Sequence, residues 1–108
     1  MHHLVAWWDR RGKDALMILI QFGIDPHGAI NSAYLPRSVR RTPHPDMAGA
    51  YAHSKIHTRI YHANVFFVLR EAATMRGATK ADVEKALREI ALSLQAGTFP
   101  IDEKIERS

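Results

Sequence analysis

At 108 residues the chain has room for one domain with a modest core, residues 1–108, and not for two. A composition 46% hydrophobic and 24% charged excludes a disordered polymer, and the absence of cysteine excludes disulfides, thiolate metal sites and thiol nucleophiles, so any metal must use His, Asp or Glu. The formal charge of +4 and a pI near 9.8 lean toward an anionic partner, while the longest apolar run, Ala15 to Ile20, is too short to cross a bilayer and no signal-peptide pattern opens the sequence, so export would be encoded elsewhere.

In chain order, His2 to Trp8 is a β-branched and aromatic run that predicts a strand. Asp9 is placed to cap a helix beginning near Arg10. Ala15 to Phe22 is apolar on every side, which predicts burial over most of its surface. Gly23 followed by Ile24 predicts a Schellman ending, and Pro26 and Gly28 stop the helix from resuming. Ala29 to Leu35 is a candidate second strand, ended by Pro36. The prolines and arginines from Arg37 to Asp46 predict an exposed basic loop carrying Arg37, Arg40 and Arg41. From about Met47 to Arg76 the pattern is helical, with Ala52, Ile56, Ile60, Ala63 and Phe67 as an apolar stripe, His53 and His57 on its border, and Lys55 and Arg59 pointing away. Val65 to Leu69, apolar all round, should run through the core until Gly77 ends the helix. Thr79 and Asp82 form a capping box for a C-terminal helix, about 79–96, whose buried stripe is Val83, Leu87, Ile90 and Leu94. In the tail, 99–108, Phe99 and Ile101 are candidates for packing.

Four of the seven histidines fall between His44 and His62. His53 and His57, at i and i+4, would lie about 40° apart around a helix and can share one metal ion. The metalloprotease motif of that spacing needs a Glu directly after the first His, and Ser54 stands there. A bare pair is more commonly two solvated or core-capping side chains. The doublet His2-His3 is the obvious source of further ligands, although histidines after a start methionine also look like the stub of an affinity tag. In a regular strand the two point to opposite faces. Asn31 is either a turn residue after Gly28 or an amide that bonds across the hairpin and pins the loop carrying the doublet. Tyr61 is either a hydroxyl for a bound phosphate or a half-buried packing residue. His27, His44 and His62 lack a partner at useful spacing and read as surface residues.

Taken together, HHLVA, Asn31 in GAINSAYLP and HSKIHTRIYH resemble the AHH nucleases, a branch of the HNH/endonuclease VII superfamily found as C-terminal toxin domains of bacterial polymorphic toxins. The resemblance covers roughly residues 2–69. It implies an α+β, mostly helical fold: a ββα-metal finger, in which a short β-hairpin with an inserted helix precedes a long helix, plus the C-terminal packing helix. It further implies one divalent ion (Mg²⁺, Mn²⁺, Ni²⁺ or Zn²⁺) held by His2, His53 and His57, with His3 as general base, Asn31 fixing the hairpin and Tyr61 matching the tyrosine that usually follows. Arg37, Arg40, Arg41, Lys55 and Arg59 would hold phosphates, which specify no sequence. The expected function is a largely non-specific endonuclease acting on DNA, leaving 5′-phosphate ends. The expected setting is bacterial: a secreted or delivered effector domain acting in the target-cell cytoplasm and restrained by a cognate immunity protein, with no membrane partner. The family's naming alanine falls at residue 1, which is Met1. A strand that starts at its own histidine pair is expected to fray there, leaving His2 loosely held. The alternatives are a non-catalytic basic helical module that binds nucleic acid or protein, an RNA-directed nuclease with the same finger, and a closed structural zinc site.

Overall fold

The fold is known from a computed structural model, which describes residues 2–34 and 58–105. Two very short strands, β1 (His2–His3) and β2 (Ser32–Ala33), pair antiparallel with His2 opposite Ala33 and His3 opposite Ser32. Between them the chain makes a 3-10 turn at Arg10–Gly12, helix α1 (Lys13–Gln21) and a second 3-10 turn at Ala29–Asn31. Helix α2 (Arg59–Ala73) packs against both α1 and α3 (Lys80–Ala96). The described architecture is therefore α+β, a small hairpin on a three-helix core. No described helix is long and apolar enough to cross a membrane.

The strand expected over His2 to Trp8 stops after two residues. Leu4 N–H still bonds to the Asn31 carbonyl at 2.9 Å, but Ala6 to Asp9 then closes a turn, the Asp9 N–H reaching the Ala6 carbonyl at 3.1 Å. β-Branched and aromatic content marked an extended run; the turn wins because the backbone of Val5 is satisfied by a side chain instead of a ladder. Asp9 does cap, accepting from Arg11 N–H at 2.9 Å, although the first turn it caps is 3-10. Gly12 is needed where that turn meets the preceding one: a Cβ there would sit 2.6 Å from the Ala6 carbonyl oxygen.

Helix α1 buries one face only. Ala15, Ile18 and Leu19 enter the core, whereas Met17 and Ile20 are more than half exposed, so an all-round apolar sequence did not mean all-round burial. Its ending is the Schellman motif, with Gly23 at φ 71°, Gly23 N–H on the Ile20 carbonyl, Ile24 N–H on the Leu19 carbonyl, and Ile24 buried.

Two departures concern α2. Its N-cap is Thr58, in extended conformation (φ −85°, ψ 164°), so the helix that carries Tyr61 begins at Arg59 and a single helix from Met47 to Arg76 is not formed. Its buried face is Tyr61, Val65 and Leu69, with His62 and Asn64, whereas Ile60, Ala63 and Phe67 of the expected stripe are only half buried. The run Val65 to Leu69 is split in the same way, Phe66, Phe67 and Val68 staying partly exposed. Helix α3 follows its pattern: the Thr79–Asp82 capping box is formed, Val83, Leu87, Ile90 and Leu94 are buried, and Gly97 caps the end in the left-handed region. Phe99 and Ile101 complete the core.

Candidate nuclease site at the hairpin

His2 is buried and paired, not frayed. It is 1% exposed, in register with Ala33, and its Nε2 lies 3.4 Å from the Tyr61 hydroxyl. Tyr61 is itself fully buried, and its hydroxyl donates to the Leu4 carbonyl. Having spent its one proton there, that oxygen can only accept from His2, so the network asks for the Nε2–H tautomer and leaves the lone pair on Nδ1. Neutral imidazole with one nitrogen fixed by a hydrogen bond and the other carrying a lone pair is the chemistry a divalent cation requires. Burial pushes the phenol of Tyr61 far up, so the hydroxyl stays protonated and keeps that role. Tyr61 is thus fully buried, not half-buried, with its hydroxyl turned toward the Leu4 carbonyl and His2.

His3, opposite Ser32, is partly exposed, as the alternation of side chains in a strand requires. Desolvation, then the nearby charge of His27, holds its pKa below the ordinary histidine value, which favours the neutral, proton-accepting form at neutral pH. Its ring meets Trp8 edge-on at 5.5 Å and Trp7 at 6.5 Å.

Asn31 is 0% exposed and makes the bonds that set this geometry. Its Oδ1 accepts from Val5 N–H at 2.8 Å, and its Nδ2 donates to the carbonyls of Val5 (3.1 Å) and Pro26 (2.8 Å). A side-chain amide here imitates a third strand's peptide, turning the chain just past the doublet and tying it to the loop after α1.

Arg59 is exposed in the first turn of α2. His53, His57, Arg37, Arg40, Arg41 and Lys55 lie outside the described residues. Among the described residues no group of three or more His, Asp or Glu side chains converges as a metal site would require. The donor chemistry of His2, a neutral imidazole held by a hydrogen bond, would suit a divalent ion.

Sequence reasoning missed several residues around the site. His62, read as a surface residue, is buried with Nε2 3.6 Å from Asp9 Oδ2, while Arg11 ion-pairs with the same carboxylate at 2.8 Å. The hydrogen bonds from Arg11 hold the Asp9 carboxyl well below the usual carboxylate range, and burial holds His62 below its ordinary value against the opposing pull of Asp9. Asn64, 1% exposed, donates to the carbonyls of Pro100 and Glu103 and accepts from Ile105 N–H, all within 2.9 Å. The available signal was a lone amide one turn after Tyr61 in an otherwise apolar run. His27 is exposed, as expected.

A hairpin that carries two histidines, braced by a buried Asn and by a Tyr on the next described helix, is consistent with a ββα-type fold. Residues 1–96 match the model of AHH, described as a nuclease family of the HNH/ENDO VII superfamily with conserved AHH, and the chain belongs to that family. No curated protein and no solved structure matches it. Family membership makes it a nuclease, with nucleic acid as the substrate class.

Proposed function

We propose that the chain is a metal-dependent endonuclease that hydrolyses DNA with little sequence specificity. The observation that carries this reading is the buried Asn31 amide, which joins the hairpin holding His2-His3 to the loop after α1 and so fixes one imidazole inward and the other toward solvent. In this reading His2, His53 and His57 hold one divalent ion, of the Mg²⁺, Mn²⁺, Ni²⁺ or Zn²⁺ class. When bound, such an ion supplies charge stabilisation to the scissile phosphate and its leaving oxygen. His3 takes a proton from water as the water oxygen bonds to phosphorus. The bond from phosphorus to the 3′ oxygen then breaks, and that oxygen is protonated by solvent, leaving a 5′-phosphate and a 3′-hydroxyl. Arg37, Arg40, Arg41, Lys55 and Arg59 hold flanking phosphates, and Asn31 and Tyr61 act by positioning. The biological setting we infer is an antibacterial effector domain working in a target cell and neutralised by an immunity protein that is acidic where it meets Arg37 to Arg41.

Purified protein should nick supercoiled plasmid with at least one of the four ions. His3→Ala should abolish nicking while metal binding, read by calorimetry, is nearly retained, and His53→Ala or His57→Ala should lose the metal. Cleavage by His3→Ala at the parental rate overturns the assignment of the base; absence of cleavage with every ion, on both DNA and RNA, overturns the catalytic reading.

A further inference from the structure

We propose that Trp7 and Trp8 form a stacking platform for unpaired nucleobases beside His3, so that the preferred substrate is single-stranded DNA. The proposal takes its substrate class from the nuclease reading above. Both indoles occupy the two central positions of the Ala6–Asp9 turn, where a chain reversal projects side chains away from the body of the protein. Trp7 is 41% exposed and Trp8 55%, although large aromatic rings this close to a core usually gain by burial. They stand edge to face at 5.4 Å, Trp8 against His3 at 5.5 Å and Trp7 against His27 at 4.6 Å, so the aromatic surface is continuous with the proposed base.

The charge beside the platform suits a strand threaded across it. The segment Asp9 to Asp14 carries three cations, Arg10, Arg11 and Lys13, and one of its two carboxylates, Asp9, is already neutralised by Arg11. Arg10 and Lys13, both exposed and within a few residues of the indoles in the chain, are available to phosphates of a strand bound there. Stacking uses the π-face that every base possesses, so the platform adds affinity without adding sequence preference. In a duplex that face is covered by neighbouring base pairs; an unpaired strand presents it.

The test is equilibrium binding in EDTA, where no cleavage occurs, read as fluorescence anisotropy of labelled dT12, a 12-mer of abasic sites carrying the same phosphates, a 12-base-pair duplex and rU12. The parent should bind dT12 at least about tenfold more tightly than the abasic strand or the duplex, stacking being lost in both. Trp7→Ala and Trp8→Ala should each raise the Kd for dT12 by about 5- to 150-fold and leave the abasic strand unaffected. Trp7→Phe and Trp8→Phe, which keep a ring, should restore most of the affinity. Equal parental affinity for dT12 and the abasic strand overturns the proposal, as does an unchanged Kd in both alanine variants or equally tight duplex binding. Preference for rU12 overturns the choice of DNA. Discrimination of bases by a protein that cleaves nothing under any ion would sink the nuclease reading alone, whereas cleavage with no such discrimination sinks the platform alone.

Discussion

The Tyr61 hydroxyl lies 3.4 Å from His2 Nε2 and gives its only proton to the Leu4 carbonyl, so one phenol on α2 braces both the first strand and the imidazole at its start. Tyr61→Phe keeps the ring packed against Phe99 and removes only that oxygen. It leaves a buried carbonyl without its donor and should cost about 1–3 kcal/mol in urea unfolding. It also frees His2 to change tautomer, for which a 10- to 100-fold loss of metal affinity is expected, on the order seen when a ligand's supporting hydrogen bond is removed. Unchanged metal affinity in a folded variant would show that Tyr61 packs and does nothing more.

Asn31 separates shape from chemistry. Asn31→Asp is nearly isosteric and keeps the acceptor for Val5 N–H, yet it turns a carboxylate oxygen toward the carbonyls of Val5 and Pro26, which in the parent accept from the Asn31 Nδ2 amide and in the variant lose that donor. The variant should be destabilised by at least about 2 kcal/mol at neutral pH, because a buried charge loses its partners. Part of that loss should return in acid, where the protonated group regains one donor. Equal urea midpoints for parent and Asn31→Asp at pH 7 would overturn the bracing role.

These two residues also mark what the sequence made legible. The hairpin with its inserted helix, which pairs residues as far apart as His2 and Ala33, was implied only by the family resemblance. The Schellman ending at Gly23, the capping box and the apolar face of α3 follow from local patterns whose physics is contained in a few neighbouring residues. The face of α2 did not, because Val65 to Leu69 offers apolar groups in every direction and only packing against α1 and α3 selects Tyr61, Val65 and Leu69. The start of that helix was missed for a related reason: Thr58 is an ordinary residue in a helical pattern until its hydroxyl finds the tail, far away in sequence. Long-range partners also made His62 a buried residue and ended β1 at His3. Of the site, the composition of the hairpin was readable; the bond from Tyr61 to a backbone carbonyl, and the exposure of the indoles, were not.

His62 gives the fold a pH dependence of defined sign. Its pKa is lowered by burial, so between that value and the ordinary one near 6.5 the unfolded chain binds a proton that the folded chain refuses. Stability is therefore full above pH 6.5 and declines as pH falls through the lowered value. Asp9, which faces His62, stays ionised over this range because Arg11 holds it low, and it limits the decline without reversing it. His3, also lowered, adds a decline of the same sign. The urea midpoint should drop between pH 7.5 and 5.5, and His62→Gln should flatten part of that drop. A midpoint that rises on acidification would contradict the assignment.

Thr58 ties the start of α2 to the C-terminal segment: its hydroxyl accepts from Tyr61 N–H at 2.9 Å and donates to the Ile101 carbonyl at 2.6 Å. Thr58→Val keeps the shape and loses both bonds. The cap alone is worth about 1 kcal/mol, and the Ile101 carbonyl loses its donor as well, so a total of roughly 2 kcal/mol is expected. Thr58→Ser, which retains the hydroxyl, should cost only a fraction of that. The loss should be local before it is global, since Asn64 holds the same tail independently through Pro100, Glu103 and Ile105. Amide hydrogen exchange should therefore quicken first at Tyr61 and His62, in the opening turn of α2, and later at Val65 and Leu69. Because Thr58 directly follows His57 in the chain, an opening turn that frays in Thr58→Val should also weaken metal binding, and an undiminished affinity would separate the cap from the site.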